Sequence, residues 1–303
     1  MARETVTAVV RTGTGHAPAH HGELLQGVFH DADGRLRRAL VTLPHPGGPG
    51  SRAIFHPDRS GRVEARGREK VRRAALLALG EFSPYPPGER GGRVHLTSDV
   101  PPGIGMGSST SDVTAAIRAV ADAHVITPGP IDVARLAVLA EGASDPVMID
   151  GVVLFAQREG RILETLGPSL PPMVVIGCDT RSGGAGIDTL ALPPPHYTER
   201  EIRAFASLRT ALRRAVDRGD PLLVGRVASA SARLNQRHLP NPRLSALLAL
   251  CRSHGGCGVQ IAHSGTVAGL IFDPRRPGTP RNVRRCAARL TEQGLTITAV
   301  LDL

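Results

Sequence analysis

The sequence predicts an α+β fold with a largely antiparallel sheet, and three observations support that prediction. Short runs of alternating apolar and polar residues follow one another in the first third of the chain. Other segments, such as 68–79, carry apolar residues at helical spacing. Hydrophobic residues make up 41% of the 303 positions, which is enough to bury a core. Because strands that come in succession pair antiparallel, the pattern favours α+β over a doubly wound parallel sheet.

The first half of the chain begins with predicted strands and then alternates with helices. A helix begins at Ser108, another covers 132–143, and the run 152–166 predicts a hairpin that turns at Glu159 and Gly160. The predicted strands of this half share an alternating pattern and lie at 5–12, 37–43, 52–57, 62–66 and 93–99.

A proline-rich break at 167–172 divides the chain, and we expect an N-terminal domain over 1–168 and a C-terminal domain over 169–303. The second half opens with a predicted strand at 173–179, followed by a glycine-rich loop at 181–186 and a proline-rich loop at 192–197. The remaining elements are predicted helices near 198–218, 221–235, 242–253 and 280–293, and predicted strands at 258–263, 267–273 and 296–303.

Composition and charge argue against several classes of protein. The formal net charge is +10, but its arginines, joined by the single lysine Lys70, are scattered and form no long basic block, which argues against a nucleic-acid partner. Aromatic residues are only 3%, too few for platforms that stack bases. The four cysteines show no C-x-x-C spacing, and neither a signal segment nor a membrane-spanning run is present. We therefore expect a cytoplasmic protein without a membrane role.

One stretch, 98–124, carries the strongest functional pattern in the sequence. Gly103, Gly105 and Gly107 alternate and are followed by four hydroxyl residues at 108–111, where the helix begins. Glycines let a ligand approach the main chain, and a helix N-terminus attracts phosphate, so the stretch predicts a phosphate site. One of the hydroxyls should cap the helix, and the others can bind phosphate or Mg²⁺. The structural alternative is a tight turn with an ordinary serine cap. Neither the Walker pattern nor the dinucleotide pattern matches.

Three motifs together resemble the GHMP kinase superfamily. The stretch "PPGIGMGSSTSDV" resembles that superfamily's second motif, and "APAHHGELLQG" at 17–27 resembles the first motif of its L-threonine kinase branch, which serves cobalamin side-chain synthesis. The stretch "GVQIAHSGTVAGLIFD" at 258–273 resembles the glycine-rich third motif. The resemblance implies an N-terminal domain of the ribosomal protein S5 domain 2 type, a C-terminal ferredoxin-like domain, and an active site between them.

The resemblance also implies ATP and Mg²⁺ as cofactors. Mg²⁺ would be bound by Ser108 or Ser109 and by Glu141 on the next helix. His263, within the third motif, is expected to be a packed neighbour. The residues assigned to the nucleotide are Pro102, Gly103, Gly105, Met106, Gly107, Ser108, Ser109, Thr110, Ser264, Gly265 and Thr266.

At the acceptor end, the resemblance assigns a catalytic base to an aspartate that follows a serine, which here is Asp145. Asp150 is the second candidate, and the structural alternative is that Asp145 only turns the chain ahead of Pro146. Homoserine kinase-like members need no base, so the reaction is compatible with its absence. By the same resemblance, His20 and His21 stand where mevalonate kinases have a lysine, and either could hydrogen-bond the transferring phosphoryl group or the substrate. The predicted catalytic residues are Asp145, His20 and Ser108.

Adjacent histidines on a strand face opposite ways, so at most one of His20 and His21 should reach the site. The residues assigned to the acceptor are His21, Gly22, Glu23 and Gln26, of which Glu23 and Gln26 are expected to hold an ammonium group.

The predicted function is an ATP-dependent kinase that phosphorylates a small hydroxylated molecule, with L-threonine favoured. Serine, homoserine and an intermediate of a specialised pathway stay open as acceptors, and so does a homodimeric assembly. Two alternatives from other classes are a non-catalytic nucleotide sensor and an RNA-binding module on the same fold. A sensor should have a degraded phosphate loop, and RNA binding should fall steeply with salt.

Overall fold

The computed structural model of the protein describes residues 11–181, 196–263 and 265–303. Helices and strands mix along these ranges, which confirms the predicted α+β class. Ser264 and most of the segments predicted at 5–12, 181–186 and 192–197 lie outside the described residues. The helices are α1 (Glu69–Phe82), α2 (Ser108–Ala123), α3 (Pro130–Glu141), α4 (Glu199–Asp217), α5 (Pro221–Asn235), α6 (Leu244–Ser253) and α7 (Thr279–Glu292). The strands are β1 (Gly13–Pro18), β2 (His20–His30), β3 (Leu36–Pro44), β4 (Gly50–Asp58), β5 (Val63–Glu64), β6 (Gly91–Ser98), β7 (Val152–Ala156), β8 (Arg161–Gly167), β9 (Val174–Asp179), β10 (Gly258–Ile261), β11 (Val267–Phe272) and β12 (Thr296–Asp302).

The smaller sheet, as far as the structure describes it, has the strand order β1-β4-β6-β5 and is covered by α1 and α2, on which α3 packs in turn. Its strands pair antiparallel apart from the short β5. Helix α2 lies directly on β1, because a Cβ added at Gly15 would be only 2.1 Å from the carbonyl oxygen of Ala115. Fully buried side chains such as Phe55 and Ile117 fill the space between sheet and helices.

The larger sheet runs in the order β12-β9-β11-β10-β2-β3-β7-β8 over the described strands. Its antiparallel neighbours β10 and β2 meet at the pair Ile261 and Glu23, so strands from both halves of the chain share one sheet. Helices α4 and α5 cover one face, where Phe205 packs on Phe29 at a ring distance of 6.0 Å. Strand β2, which carries the first motif, therefore lies in the middle of the sheet. The division at 168 and 169 falls between β8 and β9 and stays a prediction.

The remaining core lies between the C-terminal strands and helices α6 and α7, and it includes Leu247, Phe272 and Leu290. All four cysteines are free and buried. Among the described residues, no helix is both long and apolar enough to cross a membrane.

The first two strands differ from the sequence prediction, because the predicted strand ranges include neither β1 nor β2. Arg11 and Thr12, the described end of the predicted segment at 5–12, belong to no strand, and β1 begins at Gly13. Glycine disfavours strands, so the sequence pattern hides this one. The structure uses glycine there because α2 approaches the strand backbone too closely for any side chain.

Candidate active site

The phosphate loop, residues 101–107, ends at the start of α2 in an open backbone. Gly103, Gly105 and Gly107 have φ values of +73°, +89° and +71°, a region in which other residues are strained. Gly107 itself is the N-cap of α2, and no side chain caps this helix. The prediction that a hydroxyl residue caps α2 is therefore wrong. The left-handed glycine turns the chain into the helix, which leaves the hydroxyls of the first turn free for other contacts.

Two of these hydroxyls converge on Glu141, the last residue of α3. Ser109 Oγ donates a hydrogen bond of 2.5 Å to one carboxylate oxygen, and Thr110 Oγ1 donates one of 2.8 Å to the other. Burial raises the pKa of Glu141 to about 7, against the opposing effect of the two hydroxyls. Hydroxyl and carboxylate oxygens are the hard ligands that Mg²⁺ prefers, so Ser109, Thr110 and Glu141 fit that ion. Ser108, also predicted to bind it, is half-buried beside them.

Lys70 also reaches this cluster, which the sequence did not predict. It extends from the first turn of α1, and its Nζ donates a hydrogen bond of 3.2 Å to Ser109 Oγ. Thirty-nine positions separate the two residues, so no local motif joins them. Helical periodicity identifies only an exposed position on α1. The one lysine in the chain nevertheless lies where the phosphates are expected.

His20 and Asp145 form a second cluster at the N-terminus of α2. His20 Nε2 lies 3.0 Å from Asp145 Oδ2, and His20 Nδ1 lies 3.3 Å from the carbonyl oxygen of Gly22. Burial alone would lower the pKa of His20, but the adjacent Asp145 outweighs it and raises that pKa. Burial likewise opposes ionisation of Asp145, yet His20 lowers its pKa. The two therefore form an ion pair in which His20 is buried and Asp145 is partly exposed.

This ion pair is held against the phosphate loop. A Cβ added at Gly107 would lie 2.5 Å from the His20 ring, so the ring packs directly on the loop backbone. The backbone N–H of Asp145 donates a 3.3 Å hydrogen bond to Thr110 Oγ1, which also contacts Glu141. The expected metal ligands and the predicted base are thus linked through one threonine.

Glu23, three residues after His20 on strand β2, is the third member of this cluster. Its side chain is 1% exposed, and its Oε2 accepts a 2.7 Å hydrogen bond from the backbone N–H of His263. Among the residues that the structure describes, none forms a hydrogen bond with its Oε1. Burial raises the pKa of Glu23 to about 8, and Asp145 adds to this effect while His20 opposes it. Ligand atoms of His20, Glu23 and Asp145 all lie within 4.8 Å of one another.

The other predicted acceptor residues lie in different places. Gly22 has a φ of +72°, and a Cβ there would be 2.6 Å from the side chain of Gln260. His21 points to the opposite face of the sheet, where Gln260 donates to its Nδ1 at 3.1 Å and its Nε2 lies 2.8 Å from the Thr298 hydroxyl. Burial lowers the pKa of His21 to about 4. The structure does not bring His21 together with the His20 cluster.

Within the described residues, no side-chain hydrogen bond joins Gln26 or Asp150 to that cluster, although Asp150 lines the same cavity as His20. The backbone of Gln26 is fixed by Ser231 and Asn235 of α5, and its side chain is buried. Asp150, the alternative base, is exposed and makes no side-chain hydrogen bond within the described ranges. A cavity of about 360 Å³ lies between His20 and the segment 146–153, and it is large enough for an amino acid.

The third motif packs directly on the phosphate loop. A Cβ at Gly265 would lie 2.1 Å from the backbone nitrogen of Gly105. The N–H groups of Thr266 and Val267 both donate to the carbonyl oxygen of Ile104, at 2.9 Å each. Met106 is buried in a small cluster with Ile104, while Pro102 is exposed at the start of the loop. The structure thus brings the second and third motifs together, although Ser264 lies outside its described part.

Comparisons with known proteins agree with this geometry. Residues 69–151 match the model of the GHMP kinases N terminal domain, and residues 210–291 match that of the GHMP kinases C terminal region. Together the two matches cover more than half of the chain.

Two characterised relatives are named L-threonine kinase. The chain is 30% identical over 212 residues to that of Salmonella typhimurium, covering 67% of this chain and 66% of the relative. It is 29% identical over 221 residues to that of Citrobacter freundii, covering 68% and 69%. The matched segment therefore spans about two thirds of either relative.

Solved structures share the fold. A homoserine kinase from Cytophaga hutchinsonii superposes with a TM-score of 0.65 at 14% identity, over 99% of this chain and 97% of that one. The order of the motifs, the two family matches and the shared fold lead to the same conclusion. The chain belongs to the GHMP kinases.

Proposed function

We propose that the protein transfers the γ-phosphoryl group of ATP to the hydroxyl of L-threonine, giving O-phospho-L-threonine and ADP. The strongest support for this proposal is the position of two neighbouring clusters of side chains. An oxygen-only cluster suited to Mg²⁺, formed by Ser109, Thr110 and Glu141, lies beside the His20 and Asp145 ion pair at a helix N-terminus. The two L-threonine kinases among the relatives favour threonine as the acceptor.

The phosphates of ATP would lie along the loop 101–107, against the N-terminus of α2. The unpaired N–H groups of the first helical turn and the open glycine backbone favour negative charge there. Lys70 and Ser109 contribute further donors from the side. Ser108 or Ser109, with Glu141, would hold Mg²⁺, which neutralises charge on the phosphates when it is bound.

The acceptor hydroxyl would lie on Asp145. Phosphoryl transfer requires mainly that the attacking and leaving oxygens are held in line, so a residue that orients the hydroxyl contributes most of the effect. The hydroxyl oxygen forms a bond to the γ-phosphorus while the bond to the ADP oxygen breaks, and the hydroxyl proton moves to Asp145. His20, charged beside Asp145, fixes the carboxylate and faces the transferring group.

Free, buried cysteines are typical of a reducing compartment, and we place the protein in the cytoplasm. A place in cobalamin side-chain synthesis and a homodimeric state remain predictions. An RNA-binding role is supported by no specific contact among the described residues. ATP binding at moderate salt in the absence of RNA would argue against it.

The decisive experiment measures ADP release from Mg·ATP against L-threonine, L-serine, L-homoserine and an acceptor-free control. We expect turnover with L-threonine. Asp145→Asn should lower kcat by about a hundredfold if Asp145 is the base, whereas Asp33→Asn, in an exposed turn, should leave it unchanged.

The outcomes separate the parts of the proposal. If ATP binds but no acceptor is phosphorylated, the substrate assignment is wrong. A full rate in Asp145→Asn would point to a base-free reaction, and a loss confined to Asp150→Asn would make Asp150 the base.

A further inference from the structure

A second cavity, of about 280 Å³, lies between α5, α6 and the start of β10, and it shares no lining residue with the cavity beside His20. Three arginines line this arginine cavity, Arg226 and Arg233 from α5 and Arg252 from α6. Arg226 and Arg233 are seven positions apart, or about two helical turns, so they lie on the same side of α5. The fold thus brings together arginines that are scattered in the sequence.

The three guanidinium groups have no counterion among the described residues. None of them forms a side-chain hydrogen bond or an ion pair there, and no described aspartate, glutamate or histidine lines the cavity. Elsewhere, by contrast, the carboxylate of Glu164 contacts two arginines of α4. The helix dipole favours a positive charge at Arg233 and Arg252, each in the last turn of its helix. Arg226 lies too far from the C-terminus of α5 for that effect.

The floor of the arginine cavity adds no negative charge. Burial raises the pKa of the Cys251 thiol to about 12 and also raises that of Cys257, so both thiols stay protonated near neutral pH. Ser229 Oγ already donates a 2.8 Å hydrogen bond to the carbonyl oxygen of Gly225 and accepts one of 2.9 Å from the N–H of Val259. Within the described structure, the lining residues therefore offer three positive charges that nothing neutralises.

The charge and the size of the cavity select a small anion with several oxygen atoms. Each guanidinium group presents a planar fork of N–H donors that matches two oxygens of a carboxylate or a phosphate. A carboxylate has only two oxygens, whereas a phosphate monoester has three free oxygens and nearly two negative charges, so it can use all three arginines. A volume of about 280 Å³ is at the lower end of the range for small-molecule sites, which favours a small metabolite over a nucleotide.

We propose that the arginine cavity binds the phosphate group of a small molecule through Arg226, Arg233 and Arg252. This site goes beyond the proposed function, because none of its residues belongs to the site at which the phosphoryl group would be transferred. Inorganic phosphate and a phosphorylated metabolite, such as O-phospho-L-threonine, carry the same group. A nucleic acid would need basic residues spread along an open surface, whereas these three converge on one cavity.

The test is isothermal titration calorimetry with inorganic phosphate and with O-phospho-L-threonine, at an ionic strength held constant with sodium chloride. A saturating non-hydrolysable analogue of Mg·ATP keeps the phosphate loop occupied, so the remaining binding reports on the arginine cavity. Arg226→Gln combined with Arg233→Gln should weaken this binding by about tenfold or more, because charge-assisted contacts are lost. Arg252→Gln, on the other helix, should weaken it too. Arg284→Gln, exposed on α7, is the matched control and should bind as the wild type does.

The outcomes separate a small-molecule site from its alternatives. An unchanged affinity in the double variant would overturn the proposal, and so would binding of neither anion by the wild type. Heat that sodium chloride alone reproduces would reduce the effect to charge screening and reject the site. If the wild type binds single-stranded RNA but neither small anion, and the same substitutions abolish RNA binding, the surface serves a nucleic acid and the proposal is wrong. If both anions bind, the tighter one shows whether the ligand is free phosphate or an ester.

Discussion

Burial of the Glu23 side chain makes the stability of the folded protein depend on pH. Its carboxyl group is buried in the cluster with His20 and Asp145, and this burial raises its pKa from an ordinary value of 4.5 to about 8. The folded chain therefore keeps a proton that the unfolded chain releases. Glu23 contributes its full share of stability below the unfolded pKa, and this share is lost as the pH rises towards 8.

Glu23→Gln should therefore stabilise the protein in a pH-dependent way. Glutamine stays neutral, so the variant avoids the cost of ionising a buried group. The Tm of the variant should exceed that of the wild type clearly at pH 9, and the difference should shrink towards pH 4. Thermal unfolding across this range measures it, with Glu199→Gln, exposed on α4, as the control. A difference that is constant with pH would show that Glu23 titrates normally.

Lys70 gives a second prediction for a single side chain. Its contact with Ser109 places a positive charge beside the expected phosphates. A charge-assisted hydrogen bond contributes about 1.5–3 kcal/mol, so Lys70→Met should raise the KM for Mg·ATP by about tenfold or more. Arg73→Met, exposed on the same helix, should not change it. Steady-state kinetics at saturating acceptor would decide, and an unaffected KM in Lys70→Met would exclude a phosphate contact.

The sequence predicted residues of the site only where they belong to a motif. The glycines at 103, 105 and 107, Ser109, Thr110 and Glu141 do come together, and so do His20, Glu23 and Asp145. Lys70 was not predicted as a site residue because only tertiary packing brings it to Ser109. His263 lies in the third motif but was expected only to pack, and its backbone N–H nevertheless binds Glu23. Alternation along a strand predicted that His20 and His21 point to opposite faces of the sheet. It could not predict which of them faces Asp145, because the register of β2 shifts between His20 and Glu23.

At the scale of elements, the junction between the phosphate loop and α2 is the most constrained part of the fold. Gly107 combines a left-handed φ of +71° with the close approach of the His20 ring. The sequence predicted the helix from its apolar spacing and its start from the hydroxyl run. It predicted that one of the hydroxyl residues 108–111 caps the helix, since side-chain caps are common, and it could not show that Gly107 is the N-cap.

Gly107→Ala should damage catalysis more than stability. The added Cβ would lie only 2.5 Å from the nearest atom of the His20 ring and would displace the ring. Displacement of a positioned group can lower kcat by about a hundredfold. Gly34→Ala is the matched control, since Gly34 has a similar φ of +74° but open space around it. Both variants should lose similar stability, and kcat and Tm report the two effects separately. Equal kcat values in the two variants would remove the steric argument.

At the scale of the whole molecule, the larger sheet joins the two halves of the chain. Leu24, Leu25 and Phe29 of β2 pack into one core with Phe205 of α4 and Val224 of α5. The sequence predicted a division near residue 168 from its prolines, which mark a turn between strands. Composition cannot show that strands before and after this turn pair in one sheet, because that pairing depends on contacts far apart in sequence.

A fragment of residues 1–168 should therefore not fold alone. It would expose the apolar face of β2, and burial of each such side chain contributes about 1.5–3 kcal/mol, so several of them equal the whole stability of a typical protein. Circular dichroism during urea titration should show no cooperative transition for the fragment. Co-expression with residues 169–303 should restore one, whereas cooperative unfolding of 1–168 alone would contradict this account.

The double hydrogen bond at Ile104 carries a consequence for how ligands leave. The carbonyl of Ile104 lies between two phosphate-loop glycines and accepts N–H groups from the segment that follows His263. We therefore expect a nucleotide that displaces this loop to displace the segment whose His263 N–H binds Glu23 as well. Affinities for nucleotide and acceptor are then thermodynamically linked, and each ligand must change the other's dissociation constant by the same factor. With positive coupling, release of one product raises the dissociation constant of the other, so the two products leave the site together.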